Sequence, residues 1–395
     1  MKRSGRTSKP NEIQALRLAL RLARRGYGTT SPNPMVGAVL IKHGKIIGCG
    51  WHRQAGAPHA EIEALRDARK RGQSPTGATL FVTLEPCCTH GRTPPCTEAI
   101  MAAGIKKVIV GAADPNPHHA GKGFGILRRA GIHVTSWDEN VFPRDPKNPG
   151  PKSSLARECA SLNAAFNHWI VHRTPFVTVK AAMTLDGKIA TASGESKWIT
   201  GEKARACGMK LRQGSDAILV GVNTILADDP SLTARTKNAR PIRRIVLDSR
   251  ARTPLNARVA TDAFAGQTTI VVTPLALKAR VQALSKHVNV LMAPHTKSKG
   301  ANQTRINLRW LLKRLGDEQV ASLLVEGGGE VNASFLLNHL AHRIAFFYAP
   351  KILGGRDARK GVAGEGAKKL AEAVRLRDLK WHKLGEDLLL EASVA

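Results

Sequence analysis

Residues 59–96 read HAEIEALRDARKRGQSPTGATLFVTLEPCCTHGRTPPC, and the hydrophobic period of this stretch switches between helix and strand. After His59 the apolar residues Ile62, Leu65 and Ala68 recur at helical spacing, so His59 stands at a helix start. Ala78 to Leu84 reads as a strand, and Thr97 to Ala103, closed by Gly104, as a second helix. On the N-terminal side Lys42-His43-Gly44-Lys45 is a tight turn joining strands Met35 to Ile41 and Ile46 to Trp51, behind a first helix over residues 11–25. On the C-terminal side come a strand from Lys107 to Gly111, a helix from Phe124 to Ala130 and a short strand from Ile132 to Thr135. This alternation implies an α/β layer architecture.

Residues 142–154 hold Pro143, Pro146, Pro149, Gly150 and Pro151 among charges, the clearest linker composition in the sequence. A single helix from Leu155 to Val171 is expected after it, then a second α/β half. Its strands are read at Phe176 to Ala182, Ala217 to Gly221, Ile245 to Asp248, Thr268 to Val272, Val288 to Met292, Ser322 to Val325 and Ile344 to Ala349. A chain of 395 residues exceeds one ordinary core. The expected division is a disordered basic tail over 1–10, a first domain over 11–145, a linker and connecting helix over 146–175, and a second domain over 176–395.

The chemistry of the first half lies in His59-Ala60-Glu61, Pro86-Cys87 and Cys96. Zinc activation of a water molecule needs three protein ligands and one open position. It also needs a carboxylate outside the ligand set to carry protons to a leaving amine. His-x-Glu at one helix start and Pro-Cys…Cys at another supply those parts, the signature of zinc nucleobase deaminases. Read alone, a histidine before a helix is a cap or surface residue, and two cysteines nine apart are buried apolar residues. In this order and combination they specify His59, Cys87 and Cys96 as ligands and Glu61 as the catalytic proton carrier. Cys88 competes with Cys87 as a ligand and is read as structural. A zinc held only for structure has no use for Glu61.

Composition narrows the alternatives. Cys49, Cys87, Cys88, Cys96, Cys159 and Cys207 are too sparse for a disulfide scaffold and suit a reducing compartment, so a cytoplasmic protein is expected. No window has the roughly 18 uninterrupted apolar residues of a membrane span. The formal charge is +31, and residues 1–150 carry 23 Lys/Arg against 10 Asp/Glu, so the excess is spread over both halves. Such a field attracts phosphorylated ligands, and also nucleic acid non-specifically. A nucleic-acid deaminase is the competing reading, but aromatic residues make up only 4%, low for stacking single-stranded bases. No specific nucleic-acid partner is expected, and self-association is left open.

The first 145 or so residues resemble the cytidine-deaminase-like superfamily, which implies a three-layer α/β domain. More narrowly, the chain resembles the bifunctional deaminase–reductases of riboflavin biosynthesis, which act on phosphorylated pyrimidines. The matching stretches are Pro32 to Gly37, His59 to Glu61, Thr83 to Cys96, and Asp114 to Pro117 with Ala120 to Gly123. Eight residues separate Cys87 from Cys96, as in those enzymes, whereas nucleic-acid and free-nucleoside deaminases usually carry Pro-Cys-x-x-Cys. The resemblance implies that Asn33, His52 and Arg92 contact substrate. One departure stands out. The family usually reads Cys-Ser-His-x-Gly, and the position of its substrate-contacting histidine is Thr89 here, so neighbouring His90 is expected to take over.

Residues 175–392 resemble the reductase domain of the same enzymes, which implies a dihydrofolate-reductase-like fold. The match runs through Val179 to Lys188, Gly194 to Thr200, Gly221 to Thr224, Asp228 to Pro230, Leu232 to Arg235, Asp248-Ser249 and Val325 to Gly329. Gly327-Gly328-Gly329 follows a strand and opens a helical pattern, a place where backbone N–H groups can approach phosphate. No G-x-G-x-x-G is among the matched segments, so a Rossmann-type site is not indicated. The resemblance implies NADPH as cofactor, with Ala182, Trp198, Thr224, Asp228, Ser249 and Gly328 at cofactor positions. Lys180, Ser196, Arg212, Leu232, Arg235 and Glu326 fall at substrate positions. Arg212 and Arg235 are the expected ligands of the 5′-phosphate, since a guanidinium binds it bidentately. Lys180 is the expected catalytic acid.

Overall fold

Asn11 starts the first helix, α1 (Glu12–Ala23), with a reciprocal cap: its side chain accepts from Gln14 N, and Gln14 Oε1 accepts from Asn11 N. The computed structural model describes residues 11–90, 94–138, 151–236, 240–297 and 304–395, in two units, Met1–His172 and Arg173–Ala395. The tail over 1–10 and most of the proline-rich linker lie outside the described residues.

The first unit continues with β1 (Gly37–Lys42), β2 (Lys45–Trp51), α2 (Ala60–Lys70), β3 (Thr79–Leu84), α3 (Cys96–Ala102), β4 (Lys107–Ala112), α4 (Lys122–Arg129) and β5 (His133–Ser136). Two more helices, α5 (Pro151–Leu162) and α6 (Ala164–His172), complete it. The sheet order is β2-β1-β3-β4-β5; β1 runs antiparallel to both neighbours, and β3, β4 and β5 are parallel. Side-chain alternation sorts the core into two layers. Leu40, Leu80, Val82, Val108 and Val110 pack with α2, α3 and α4, while Val39, Phe81 and Ile109 pack with α1 and α5. Strand β2 has to let α2 lie directly on it. A Cβ at Gly50 would stand 2.3 Å from the Ala60 carbonyl oxygen, so only glycine admits the helix that starts there.

The single helix expected over Leu155 to Val171 is two. It breaks at buried Asn163, whose side chain accepts from Met35 N at 2.8 Å and donates to Met35 O at 3.0 Å. Helix α5 buries Leu155, Ala156 and Cys159 against the first sheet. The structural division therefore falls between His172 and Arg173, after the composition break and not within it.

The second unit contains β6 (Phe176–Thr184), β7 (Lys188–Ala190), α7 (Glu202–Gln213), β8 (Ala217–Gly221), α8 (Val222–Asp228), β9 (Arg243–Leu247), α9 (Arg258–Thr261), β10 (Thr268–Val272), α10 (Lys278–Ser285) and β11 (Asn289–Met292). Then follow β12 (His295–Lys297), β13 (Thr304–Ile306), α11 (Leu308–Asp317), β14 (Ser322–Val325), α12 (Gly329–Leu336), β15 (Arg343–Ala349), β16 (Arg359–Lys360), β17 (Leu376–Leu384) and β18 (Asp387–Val394). A nine-stranded sheet has the order β11-β10-β9-β8-β14-β6-β15-β18-β17. Its strands are parallel from β11 to β15, and β18 and β17 add antiparallel pairs. Val177, Leu219, Ile245 and Val271 face α11 and α12, and Ile218, Val220, Val246 and Ile270 form the opposite core. The parallel strands all end on one edge, where open α/β sheets bind ligands.

Candidate active sites

In the first unit a cavity of roughly 180 Å³ opens where α2, the end of β3 and the loop after β4 converge. His59 is the N-cap residue of α2 and Cys96 the first residue of α3, so both stand at helix N-termini. His59 Nδ1 lies 3.4 Å from Cys87 Sγ and 3.3 Å from Cys96 Sγ, and the three donor atoms lie within 4.8 Å of one another. With zinc–sulfur near 2.3 Å and zinc–nitrogen near 2.1 Å, a tetrahedron sets nitrogen–sulfur edges of about 3.6 Å. The residues present fit the metal. Among the described residues the cluster has three members, and Glu61 is not one of them.

The protons of the cluster are already unevenly held. A hydrogen bond from Cys96, and then one with His59, pulls the Cys87 thiol below its ordinary value, while the same bond and burial push Cys96 up. The hydrogen bond with Cys87 raises His59. One sulfur thus ionises easily, and binding of a dication would displace the proton on the other. Burial pushes the Glu61 carboxyl up to about 7, against the pull of His59. Glu61 is 3% exposed and also lines the cavity. Cys88 turns elsewhere, with its Sγ 3.7 Å from His119 Nδ1.

Asn33 and His52 line the same cavity. His52 Nδ1 stands 3.1 Å from the Pro58 carbonyl, which assigns the proton to that nitrogen. Its Nε2, 3.2 Å from Asn33 Nδ2, then accepts and fixes the amide orientation. Burial lowers the His52 pKa, which keeps the ring neutral. His90 does not join them: its side chain is 73% exposed, with Nε2 3.8 Å from Glu98 Oε1. A third histidine, His119, lines the cavity wall with His52 and His59. Arg92 lies outside the described residues. Sequence reasoning also missed Phe166 and Ile170, which bring α6 onto the cavity wall. Their one-turn spacing was a signal, masked by reading the helix as a linker.

In the second unit the sequence candidates gather on the carboxyl edge of the parallel strands. Ala182 lies near the end of β6, Glu326 and Gly328 follow β14, Thr224 and Asp228 ride on α8 after β8, and Ser249 follows β9. Ser196 Oγ donates to Asp228 Oδ1 at 3.4 Å. Trp198 is 66% exposed, with the Arg205 guanidinium 4.7 Å from its ring centroid. The three glycines divide by what a side chain would meet. A Cβ at Gly327 would strike Val331 at 2.4 Å and one at Gly329 the Lys360 carbonyl at 2.2 Å, whereas Gly328, N-cap of α12, faces open space. That is a cradle in which backbone can approach a phosphate.

Arg212 is tied to a carboxylate. Its Nε and Nη2 each donate to the Glu326 carboxylate at 2.9 Å, and its Nη1 donates to Thr233 O at 3.0 Å. Three of its five N–H donors are engaged in this way, and they hold Glu326. Lys180 Nζ is 3.7 Å from the same carboxylate. Burial would raise the Glu326 carboxyl, but Arg212 and then Lys180 outweigh it and hold it at about 2. Leu232 is buried in the left-handed region at φ 52°, next to the tethered Thr233 carbonyl, and Arg235 is exposed.

Comparison with known proteins identifies both domains. Residues 9–112 match the cytidine and deoxycytidylate deaminase zinc-binding region, and residues 175–390 match the RibD C-terminal domain. Riboflavin biosynthesis protein RibD of Actinobacillus pleuropneumoniae is 42% identical over 96% of this chain and 94% of its own. The Escherichia coli K12 protein of that name is 38% identical over 94% and 96%. Among solved structures, Acinetobacter baumannii RibD superposes with a TM-score of 0.80 at 34% identity, covering 97% of this chain and 99% of that one. A diaminohydroxyphosphoribosylaminopyrimidine deaminase/5-amino-6-(5-phosphoribosylamino)uracil reductase from Thermotoga maritima gives 0.78 at 33%, with the same coverage. The matched domains imply zinc in the first unit and a nicotinamide cofactor in the second. No helix among the described residues is long and apolar enough to cross a membrane. The chain belongs to the RibD family and is a bifunctional deaminase–reductase of riboflavin biosynthesis.

Proposed function

We propose that the first unit deaminates 2,5-diamino-6-(5-phosphoribosylamino)pyrimidin-4-one, and that the second reduces the ribosyl group of 5-amino-6-(5-phosphoribosylamino)uracil to ribityl with NADPH. The observation that carries the first half is a three-membered His59–Cys87–Cys96 cluster, two of whose members line one cavity with the buried Glu61 carboxyl. Held by those three residues, zinc would supply Lewis-acid activation of a water molecule. Glu61, two residues beyond His59, takes a proton from that water and returns it to the departing amine. Burial raises this carboxyl, which suits it to hold a proton between the two transfers. The ring carbon loses its amino group as ammonia and gains oxygen. Asn33 and His52, locked to each other, present fixed polar groups to the ring.

For the reduction, a nicotinamide would supply hydride to the imine carbon of the ring-opened ribosylamine, and this protein positions the reactants. Gly328 admits the dinucleotide phosphates to the start of α12, and Ala182, Trp198, Thr224, Asp228 and Ser249 complete the cofactor edge. Ser196 and Leu232 sit on the substrate side, and Arg235 takes the 5′-phosphate in place of the occupied Arg212. Lys180 supplies the proton to the new amine, its ammonium held 3.7 Å from the Glu326 carboxylate that Arg212 also grips. NADPH is favoured over NADH because a protein of charge +31 favours the extra 2′-phosphate. A cytoplasmic setting suits six free cysteines, and the surplus charge serves phosphorylated substrates, not a specific nucleic acid.

Purified protein given the diamino substrate should release ammonia and then oxidise NADPH faster than NADH. Glu61→Gln should keep its zinc, lose at least about 100-fold in ammonia release, and still reduce pre-deaminated substrate. Near-normal ammonia release by this variant would remove Glu61 from the mechanism. Wild-type protein that releases none would remove the substrate assignment.

A further inference from the structure

The loop between β4 and α4 carries an imidazole that the proposed chemistry leaves unused. His119 lines the cavity that holds His59, Glu61 and Asn33. Its ring is braced at both nitrogens, with Nε2 3.2 Å from Thr89 Oγ1 and Nδ1 3.7 Å from Cys88 Sγ. The backbone beneath it is braced as well. Glu85 accepts from the N–H groups of Asp114, Gly121 and Gly123 at 3.3, 3.1 and 3.0 Å, which ties down the loop on both sides of His119. Within the loop, His119 N donates to Asn116 O at 2.8 Å. A ring fixed by its partners and by its backbone is preorganised for contact.

Resting on the deaminase reading of this cavity, we infer that His119 is a substrate-binding residue that donates to an oxygen of the phosphoribosyl pyrimidine. Thr89 is exposed, and its short side chain reaches His119. The imidazole is thus braced by a hydroxyl from the loop that carries Cys87. The contact requires the tautomer in which Thr89 donates to Nε2 and the ring proton sits on Nδ1. Among the described residues that donor then faces a thiol sulfur, a weak acceptor. A carbonyl, hydroxyl or phosphate oxygen is a better one, so substrate displaces the sulfur with a net gain. His90, the sequence neighbour, is turned towards Glu98 and cannot make this contact without leaving it.

The test is steady-state deamination with zinc content measured on every variant. His119→Ala should raise KM for the pyrimidine about tenfold, the worth of one hydrogen bond, with kcat within about threefold. Zinc should remain at the wild-type level. His119→Gln, which keeps a donor, should fall between wild type and His119→Ala. His118→Ala, an exposed neighbour on the same loop, should match wild type. Adding Thr89→His to His119→Ala should restore most of the lost KM, a rescue that a merely structural role would not give. Unchanged KM in His119→Ala, zinc loss in both His119 variants, or a larger KM effect from His90→Ala would each overturn the inference while leaving the deaminase reading intact. A wild-type protein that releases no ammonia would overturn both.

Discussion

Glu326 follows β14 with 9% of its side chain exposed, and two cations answer its charge: Arg212 at 2.9 Å and Lys180 at 3.7 Å. Arg212→Met keeps much of the side-chain volume and removes the bidentate partner. Two routes give the cost. A carboxyl held at about 2 instead of 4.5 contributes about 3 kcal/mol at neutral pH by linkage. Breaking a buried pair from one side costs about 3–5 kcal/mol. Lys180 remains as partial compensation, so about 3 kcal/mol is expected. The sign with pH follows. The folded value lies below the unfolded one, so this stability is fully present above about 4.5 and is lost as pH falls towards 2. Hydrogen exchange of the β6 and β14 amides in the full-length protein reads the second unit alone. Those amides should exchange about 100-fold faster in Arg212→Met at pH 7, and the loss of protection between pH 4.5 and 2 should flatten. Arg212→Met with Glu326→Leu should recover part of the protection, because the buried carboxylate is gone, while Lys180, 20% exposed, loses this partner. Protection in Arg212→Met within threefold of wild type, or an unchanged acid slope, would refute the view that this pair holds the edge of the sheet.

The cysteines separate by role. Cys87→Ala should lose zinc, whereas Cys88→Ala should keep a metal stoichiometry near one, measured by atomic absorption; the reverse pattern would reassign the ligand. A fragment 1–172 should fold and bind zinc, while a fragment 1–150 should melt at least about 5 °C lower or aggregate. The shorter piece lacks α5 and α6 and so exposes the sheet face that Leu155 and Cys159 cover, and burial of one such Leu contributes about 1.5–3 kcal/mol. Equal melting of the two fragments would show that those helices add nothing to the first unit.

Much of the fold was legible because local rules carried it. Short apolar runs in Leu80 to Leu84 and Val108 to Ala112, helical spacing after His59, and Gly104 after a short helix are each signals carried within a few residues. Helix α6 was misread because Asn163, an ordinary helix residue by propensity, is bound to Met35 across 128 positions. Proline density at 142–154 looked like a domain boundary, yet the polypeptide beyond it returns to pack on the first sheet. The antiparallel pair β17 and β18 was also missed. Seven of nine residues of β17 are exposed, so alternation had no buried face to mark.

The sites divide the same way. Motif order named His59, Glu61, Cys87 and Cys96, and the structure brings three ligand atoms together without further help. What the sequence could not name is which polar groups consume one another. Arg212 looks like a phosphate ligand until Glu326, 114 residues on, is found occupying its fork. His90 looks like the substitute for a missing histidine until Thr89 is found bracing His119, 30 residues on. In both cases the residue type suits its supposed task, and the structure adds a partner that substrate would have to displace. A guanidinium already paired and desolvated would have to give up Glu326 before it could bind phosphate, leaving a buried carboxylate unpaired at a cost of several kcal/mol. An exposed imidazole would have to leave its acid and be ordered before it could bind substrate. Groups whose present partners are weak, such as the His119 Nδ1 beside a thiol, or groups in the open, such as Arg235, would pay less to bind a substrate.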